Sequence, residues 1–181
     1  MTARVALTYR DYSALPEDGK RHEIHDGELY VMTGPTLQHQ IVSARLFRVV
    51  DRHVEARNLG LVLFAPLDVI LADTTILQPD IVYLDPTRLA AGSTRGIEGA
   101  PTLAIEILSP STRTIDLTRK RALYARYGVP YLWFVDQEAQ TVEAHVLQNS
   151  EYALAVRASG SQPVDLPPFV DLGLVPSSLW P

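Results

Sequence analysis

Cysteine is absent from the 181 residues, which removes thiol nucleophiles, disulfides and Cys-ligated zinc together and leaves any metal to carboxylates or histidine. The same absence fits a reducing cytoplasm, the expected compartment. No apolar run approaches the ~20 residues of a spanning helix, and Met1 to Arg10 has no long hydrophobic stretch behind a basic flank, so no membrane is expected as partner. Positive charge is scarce too: 16 Lys and Arg against 21 Asp and Glu give a net charge of -5. That balance argues against coating nucleic acid through bulk charge, though not against a local basic patch. Also missing are a G-x-S-x-G elbow, a P-loop, a dinucleotide-binding glycine motif and any repeat of 20 to 50 residues. What remains is a chain with 46% hydrophobic and 20% charged residues, long enough to bury its own core as a single domain.

The elements alternate in type. Glu23 to Met32 predicts a hairpin, because Asp26-Gly27 sits between two β-prone runs. Gly34-Pro35-Thr36 supplies a break and an N-cap, and Val42, Leu46, Val49 and His53 then recur at helical spacing, predicting a helix from Leu37 to Arg57. Strands are expected at Leu61 to Ala65, Leu67 to Ala72 and Asp80 to Leu84 as a β-meander, followed by a loop from Leu89 to Pro101. Leu103 to Leu108 is apolar on both faces except at Glu106, the pattern of a central strand. A helix from Asp116 to Tyr127, stopped by Gly128 and Pro130, leads to a strand at Tyr131 to Val135, parallel to the preceding one. Val142 to Leu147 and Tyr152 to Val156 form a last hairpin. The Pro-rich stretch 160–181 cannot be regular helix, yet Phe169, Leu172, Leu174 and Trp180 are too apolar for a free tail; packing on the core or on a partner is expected. The whole reads as α/β with a mixed sheet.

Three features carry chemistry. Glu106 shares a strand face with Ala104 and Leu108, where a lone ionised carboxylate would cost several kcal/mol. Asp80 enters the sheet straight after Pro79. Two carboxylates on neighbouring strands suit a hard cation such as Mg²⁺; a salt-bridged Glu and a solvent-facing strand-end Asp are the competing structural account. Asp116, Lys120 and Tyr124 then stack at steps of four on one helix face, able to reach that pair or to form an ordinary exposed ion pair. Arg113, Arg119, Lys120, Arg121 and Arg126 make a local basic cluster, fit for phosphate or simply for solvent. His39, at a first helical turn, is either a phosphate or metal contact or a surface residue. His22 and His25 point to opposite strand faces and form no chelate. Ser109 and Ser111 read as turn residues, Tyr131 and Trp133 as core.

Pro79-Asp80, Glu106 and Lys120 together resemble the PD-(D/E)XK nuclease superfamily. More narrowly, the chain resembles the Uma family of restriction-endonuclease-like proteins over nearly its whole length. The resemblance runs through His22 to Leu29, Gln78-Pro79-Asp80, Gly99-Ala100-Pro101, the string Glu106-Ile107-Leu108-Ser109-Pro110-Ser111-Thr112, Asp116-x-x-x-Lys120-x-x-x-Tyr124, and Tyr131 to Asp136. It implies a restriction-endonuclease-like mixed sheet flanked by helices over 1–181. It further implies a Mg²⁺- or Mn²⁺-dependent endonuclease cutting DNA, with Asp80 and Glu106 as metal-binding carboxylates and the Ile107 carbonyl as a further ligand. The superfamily lysine lies two residues after the acid; here that position is Leu108, so Lys120 would take its place from the next helix. Glu23 matches an early acidic position of the family. A homodimer would let a single compact domain grasp both strands. The alternatives are a non-catalytic nucleic-acid- or protein-binding module of the same fold and a Ser/His hydrolase, for which no spacing speaks.

Overall fold

The structure is a computed structural model in which residues 5–181 are described; the first four residues of the N-terminal stretch read above lie outside it. In chain order the helices are α1 (Tyr9–Ser13), α2 (Leu37–Ala56) and α3 (residues 113–126). The strands are β1 (Arg21–His25), β2 (Glu28–Met32), β3 (Leu61–Phe64), β4 (Val69–Ala72), β5 (Thr75–Leu77), β6 (Ile81–Leu84), β7 (Gly92–Ser93), β8 (Gly96–Glu98), β9 (Leu103–Leu108), β10 (Tyr131–Asp136), β11 (Thr141–Gln148) and β12 (Glu151–Ser159). They form two mixed six-stranded sheets, ordered β2-β1-β5-β4-β8-β7 and β12-β11-β10-β9-β6-β3. Among the described residues no helix is long and apolar enough to cross a membrane.

The β1–β2 hairpin turns through Asp26 (φ 53°) and Gly27 (φ 80°), two positive φ values that Asp-Gly accommodates and most pairs do not. Helix α2 begins where the Thr36 hydroxyl accepts the His39 amide at 3.2 Å. Its stripe Val42, Leu46, Val50 and Val54 is fully buried against Ile81, Ile105 and Ile107, about 1.5–3 kcal/mol for each side chain removed from water. The opposite face of β9, carrying Ala104 and Leu108, packs on Leu123 and Tyr124 of α3 and on Leu77 of the other sheet. The strand, helix, strand unit closes as expected, with β9 and β10 parallel. In the stretch 160–181, Leu166, Phe169, Leu172, Leu174 and Leu179 are buried in the α2-side core, and the Pro167 carbonyl accepts the Trp133 indole at 2.7 Å.

Two expectations need correction. The segment 61–84 is no meander: β3 pairs with β6, while β4 and β5 pair with each other in the second sheet. Pro66 and Pro79 stand at the two crossings, where a missing N–H interrupts a ladder and lets the chain change sheets. The expected loop 89–101 contains a helical turn and the β7–β8 hairpin. Ile97 is fully buried, and Gly96 (φ 131°) admits the Asp68 carbonyl to a point 2.3 Å from where a Cβ would sit. The segment's apolar residues, Leu89, Ala90, Ala91, Ile97 and Ala100, follow no alternation that would read as a strand.

Candidate active site

Asp80 and Glu106 are set by strand register. Ile81 faces Ile105 and Val82 faces Ala104 across the antiparallel β6–β9 pair, and the Asp80 amide donates to the Ile105 carbonyl at 3.1 Å. Asp80, just ahead of β6, and Glu106 on β9 thus come to line one cleft. Ahead of β6 the ladder has ended, and there the Asp80 carboxylate replaces a strand: its Oδ2 accepts the Ile107 amide at 2.8 Å. Because the N–H and C=O of one residue leave a strand on the same edge, the Ile107 carbonyl emerges beside Asp80. Asp80 Oδ2 also meets His39 Nε2 at 3.2 Å, and Oδ1 meets Arg21 Nη1 at 3.4 Å.

Helix α3 supplies the remainder. It runs as a turn at Arg113–Ile115, a π turn at Asp116–Lys120 and an α segment at Arg121–Arg126. Lys120 Nζ lies 2.6 Å from Glu106 Oε1, 3.2 Å from Glu23 Oε1 and 3.7 Å from Asp116 Oδ1, and Tyr124 donates its hydroxyl to Glu106 Oε1 at 2.6 Å. Glu23 also accepts the Gln78 amide on Oε1 and contacts His25 Nε2 through Oε2, both at 2.8 Å. Lys120 is only 2% exposed and Asp116 likewise, so they are no exposed i,i+4 pair. Asp80, Glu106, Lys120, Glu23, Asp116, His39 and Ile107 all line one cleft of about 280 Å³, rimmed by Thr33, Ser109, Ser111 and Thr112; Tyr124 lies buried beneath Glu106.

Four buried carboxyl groups in one cleft, three of them around a single ammonium, cannot all behave alike. Burial alone would raise Glu23, but the Lys120 charge, His25 and the Gln78 amide outweigh it and hold the carboxyl at about 2. Burial is likewise outweighed at Asp80, by His39, Arg21 and the Ile107 amide, so its pKa is lowered. At Glu106 burial wins: with Asp116, Asp80 and Glu23 adding to it against Lys120, the pKa stands well above the usual carboxylate range. Asp116 is raised for similar reasons. Burial pushes Lys120 down, but Glu106, Glu23 and Asp116 push harder, and it stays charged. Since Glu106 Oε1 accepts from both Lys120 and Tyr124, the proton of its neutral form belongs on Oε2.

These residues fit a hard divalent cation by the chemistry of their donors: two carboxyl groups lining one cleft, an adjacent backbone carbonyl and further buried acids beside them. Among the described residues no three His, Asp or Glu side chains form a ready cage, and Mg²⁺ asks for none, using one or two carboxylates and keeping its waters.

The basic cluster on α3 does not gather into a phosphate patch. Arg113 pairs with Asp136, Arg126 with Asp26, Arg119 with Glu28 and the His25 carbonyl, and Arg121 with the Tyr152 carbonyl. Alternate helix positions point these side chains to different neighbours, which the count along the sequence conceals. Ser109 bonds Ser111 and Thr112, and neither serine meets a histidine. Arg21 and Gln78 were missed as site residues. The signal was present: Arg21, Glu23 and His25 alternate along β1 and so share a face.

This fold is α/β, two mixed sheets flanked by helices. A solved structure described as a putative nuclease belonging to DUF820, from Anabaena variabilis, superposes with a TM-score of 0.74 over 96% of this chain and 97% of that one, at 22% identity; the two share a fold. The sequence profile of the Uma2 family, described as "Putative restriction endonuclease", matches residues 9–177, and the chain belongs to that family. An uncharacterized protein of Synechocystis sp., slr1290, is 32% identical over 108 residues, 59% of this chain; the chain spans about half the length of that relative, 55% of it.

Proposed function

We propose that the protein is a metal-dependent endonuclease that hydrolyses DNA phosphodiester bonds in the cleft between α2 and α3. The observation that carries this is the pair Asp80 and Glu106 lining one cleft, with the Lys120 ammonium 2.6 Å from Glu106 Oε1. Asp80 Oδ1, Glu106 and the Ile107 carbonyl would hold Mg²⁺ or Mn²⁺, which supplies Lewis-acid polarisation of the phosphate and a water of lowered pKa. The chain's own residues do the rest. The Ile107 amide and His39 fix Asp80 through one oxygen and leave the other turned to Arg21. Tyr124 and Lys120 fix Glu106 in the same way through Oε1. Lys120, held charged by three carboxylates, orients the attacking water and neutralises charge developing on the phosphate, and its burial makes that charge count for more than it would in water.

Nicking of supercoiled plasmid with Mg²⁺, Mn²⁺ or EDTA tests this, with Asp80→Asn and Glu106→Gln as controls. Metal-dependent nicking lost in both variants is expected. A non-catalytic binding module of the same fold is favoured by the net charge of -5 and by the pairing of the α3 arginines; DNA binding without cutting across metals would select it.

A further inference from the structure

Among the described residues Arg21 is the one guanidinium lining the cleft, and nothing in the metal chemistry above uses it. Its setting is determined atom by atom. Tyr12 donates its hydroxyl to Asp68 Oδ1 at 2.7 Å. Gln78 Nε2 donates to the same Oδ1 at 2.8 Å and to the Tyr12 oxygen at 3.1 Å. With its NH₂ spent on those two acceptors, the Gln78 amide can face only one way, and its Oε1 accepts Arg21 Nε at 3.2 Å. The Gln78 backbone carbonyl accepts Arg21 Nη2, so a side-chain and a main-chain oxygen of one residue grip one edge of the guanidinium. A long contact of 3.4 Å joins Nη1 to Asp80 Oδ1. Of the five N–H groups of an arginine, three are thereby engaged and two are left, on a side chain 23% exposed at the cleft wall. A cation clamped from behind, with free donors forward, is arranged to receive an oxyanion without paying much further entropy.

We infer that Arg21 is a phosphate-binding residue, its free N–H groups contacting a non-bridging oxygen of the DNA phosphate that lies against Asp80, and that Gln78, Tyr12 and Asp68 are positioning residues for it. This rests on the nuclease function proposed above and adds the residue that grips the substrate's backbone. A planar fork bound to one phosphate predicts affinity without base preference. It also explains how a chain of net negative charge, whose α3 arginines are occupied elsewhere, engages DNA at this point.

The test is binding, separated from cutting. In the Glu106→Gln background, in EDTA, fluorescence anisotropy of a labelled duplex oligonucleotide is followed from 50 to 300 mM salt, with Arg21 intact, as Arg21→Met and as Arg21→Lys. Loss of one phosphate contact removes about 0.9 from the slope of log K against log salt on a duplex, so Arg21→Met is expected to flatten the slope by that amount, equally on oligonucleotides of unrelated sequence. Arg21→Lys keeps the charge and therefore the slope, but loses the fork, and its affinity at fixed salt is expected to fall about tenfold or more. A purely structural role would leave the slope untouched. An unchanged slope in Arg21→Met, or full affinity in Arg21→Lys, overturns the inference while leaving the nuclease function standing. If Arg21→Met does not fold, the Arg21→Lys arm decides alone. Absence of DNA binding with Arg21 intact would instead overturn the nucleic-acid function itself.

Discussion

Lys120→Met is the perturbation whose consequence the structure fixes most tightly. Methionine keeps a straight apolar stem but removes an ammonium within 3.7 Å of Asp116, 3.2 Å of Glu23 and 2.6 Å of Glu106, none of them more than 3% exposed. Removing one partner of a buried pair costs about 3–5 kcal/mol because the other charge is left uncompensated. For a chain of this size that is a fall in Tm of about 6–20 °C, at about 2–4 °C per kcal/mol. The pH dependence has a defined sign. Glu23 in the wild type sits at about 2, below its ordinary 4.5, so it contributes stability that is fully present above about pH 4.5 and is lost as pH falls through 2. Lys120 is the largest influence holding it down; without it the Glu23 pKa rises, and that contribution disappears. The penalty is therefore greatest at pH 7–8 and shrinks toward pH 4.5, where protonated carboxyls no longer need the cation. Calorimetric melts of wild type and variant in EDTA from pH 4.5 to 8 measure it directly. Equal Tm values at pH 7.5, or a gap that widens on acidification, would refute the assignment of Lys120 as the counter-charge of this cluster.

Glu106 predicts the opposite slope: its folded pKa is raised, so wild-type stability declines as pH rises from about 4.5 toward that value, and Glu106→Gln should melt progressively higher than wild type between pH 5 and 8 in EDTA. Because that pKa is raised, divalent metal binding should displace proton from the same carboxyl, seen as a buffer-dependent heat in titration calorimetry, and Glu106→Gln should release less. Asp80→Asn should lower metal-dependent plasmid nicking by roughly 10²-fold or more, with circular dichroism unchanged. Phe169→Ala should cost about 3–5 kcal/mol in urea unfolding, because Phe169 packs against His53, Tyr83 and Trp133 at ring-centroid distances of 5.4, 4.9 and 5.8 Å; a cost below 1 kcal/mol would mean that the C-terminal stretch adds little to the core.

Local pattern made some of this legible in the sequence and long-range geometry hid the rest. The Asp26-Gly27 turn, the cap and stripe of α2, and the lone acid in β9 are written within a few residues, and the structure carries all three. Sheet membership is a different matter: Val69–Ala72 is as β-prone as Leu61–Phe64, and only the partners available to each decide that they part into separate sheets. Arg21 escaped notice because a strand-end arginine beside Lys20 reads as solvated surface, and its grip on Gln78 spans 57 positions.

Lys120 shows how a position absent from one element can be supplied by another. On β9 the residue two after Glu106 is Leu108, which shares the Glu106 face and is buried against Leu123 and Tyr124; a lysine there would have to desolvate its charge within that apolar contact. The ammonium instead descends from α3, where the Arg121 amide reaches back to the Asp116 carbonyl across a single π turn. Such a turn carries one more residue than an α turn and shifts the face that follows it. With that shift, Lys120 and the next turn's Tyr124 both meet one oxygen of Glu106. Spacing of four and four along the sequence correctly grouped the two residues, but an uninterrupted α-helix was the wrong backbone for them. A one-residue deletion within Leu117–Arg119 would restore α geometry and rotate Lys120 and Tyr124 together relative to Asp116. The expected outcome is a folded protein in which Lys120 no longer meets Asp116 and Glu106 together and metal-dependent nicking falls by roughly 10²-fold or more; undiminished nicking would show that the π turn has no part in placing the ammonium.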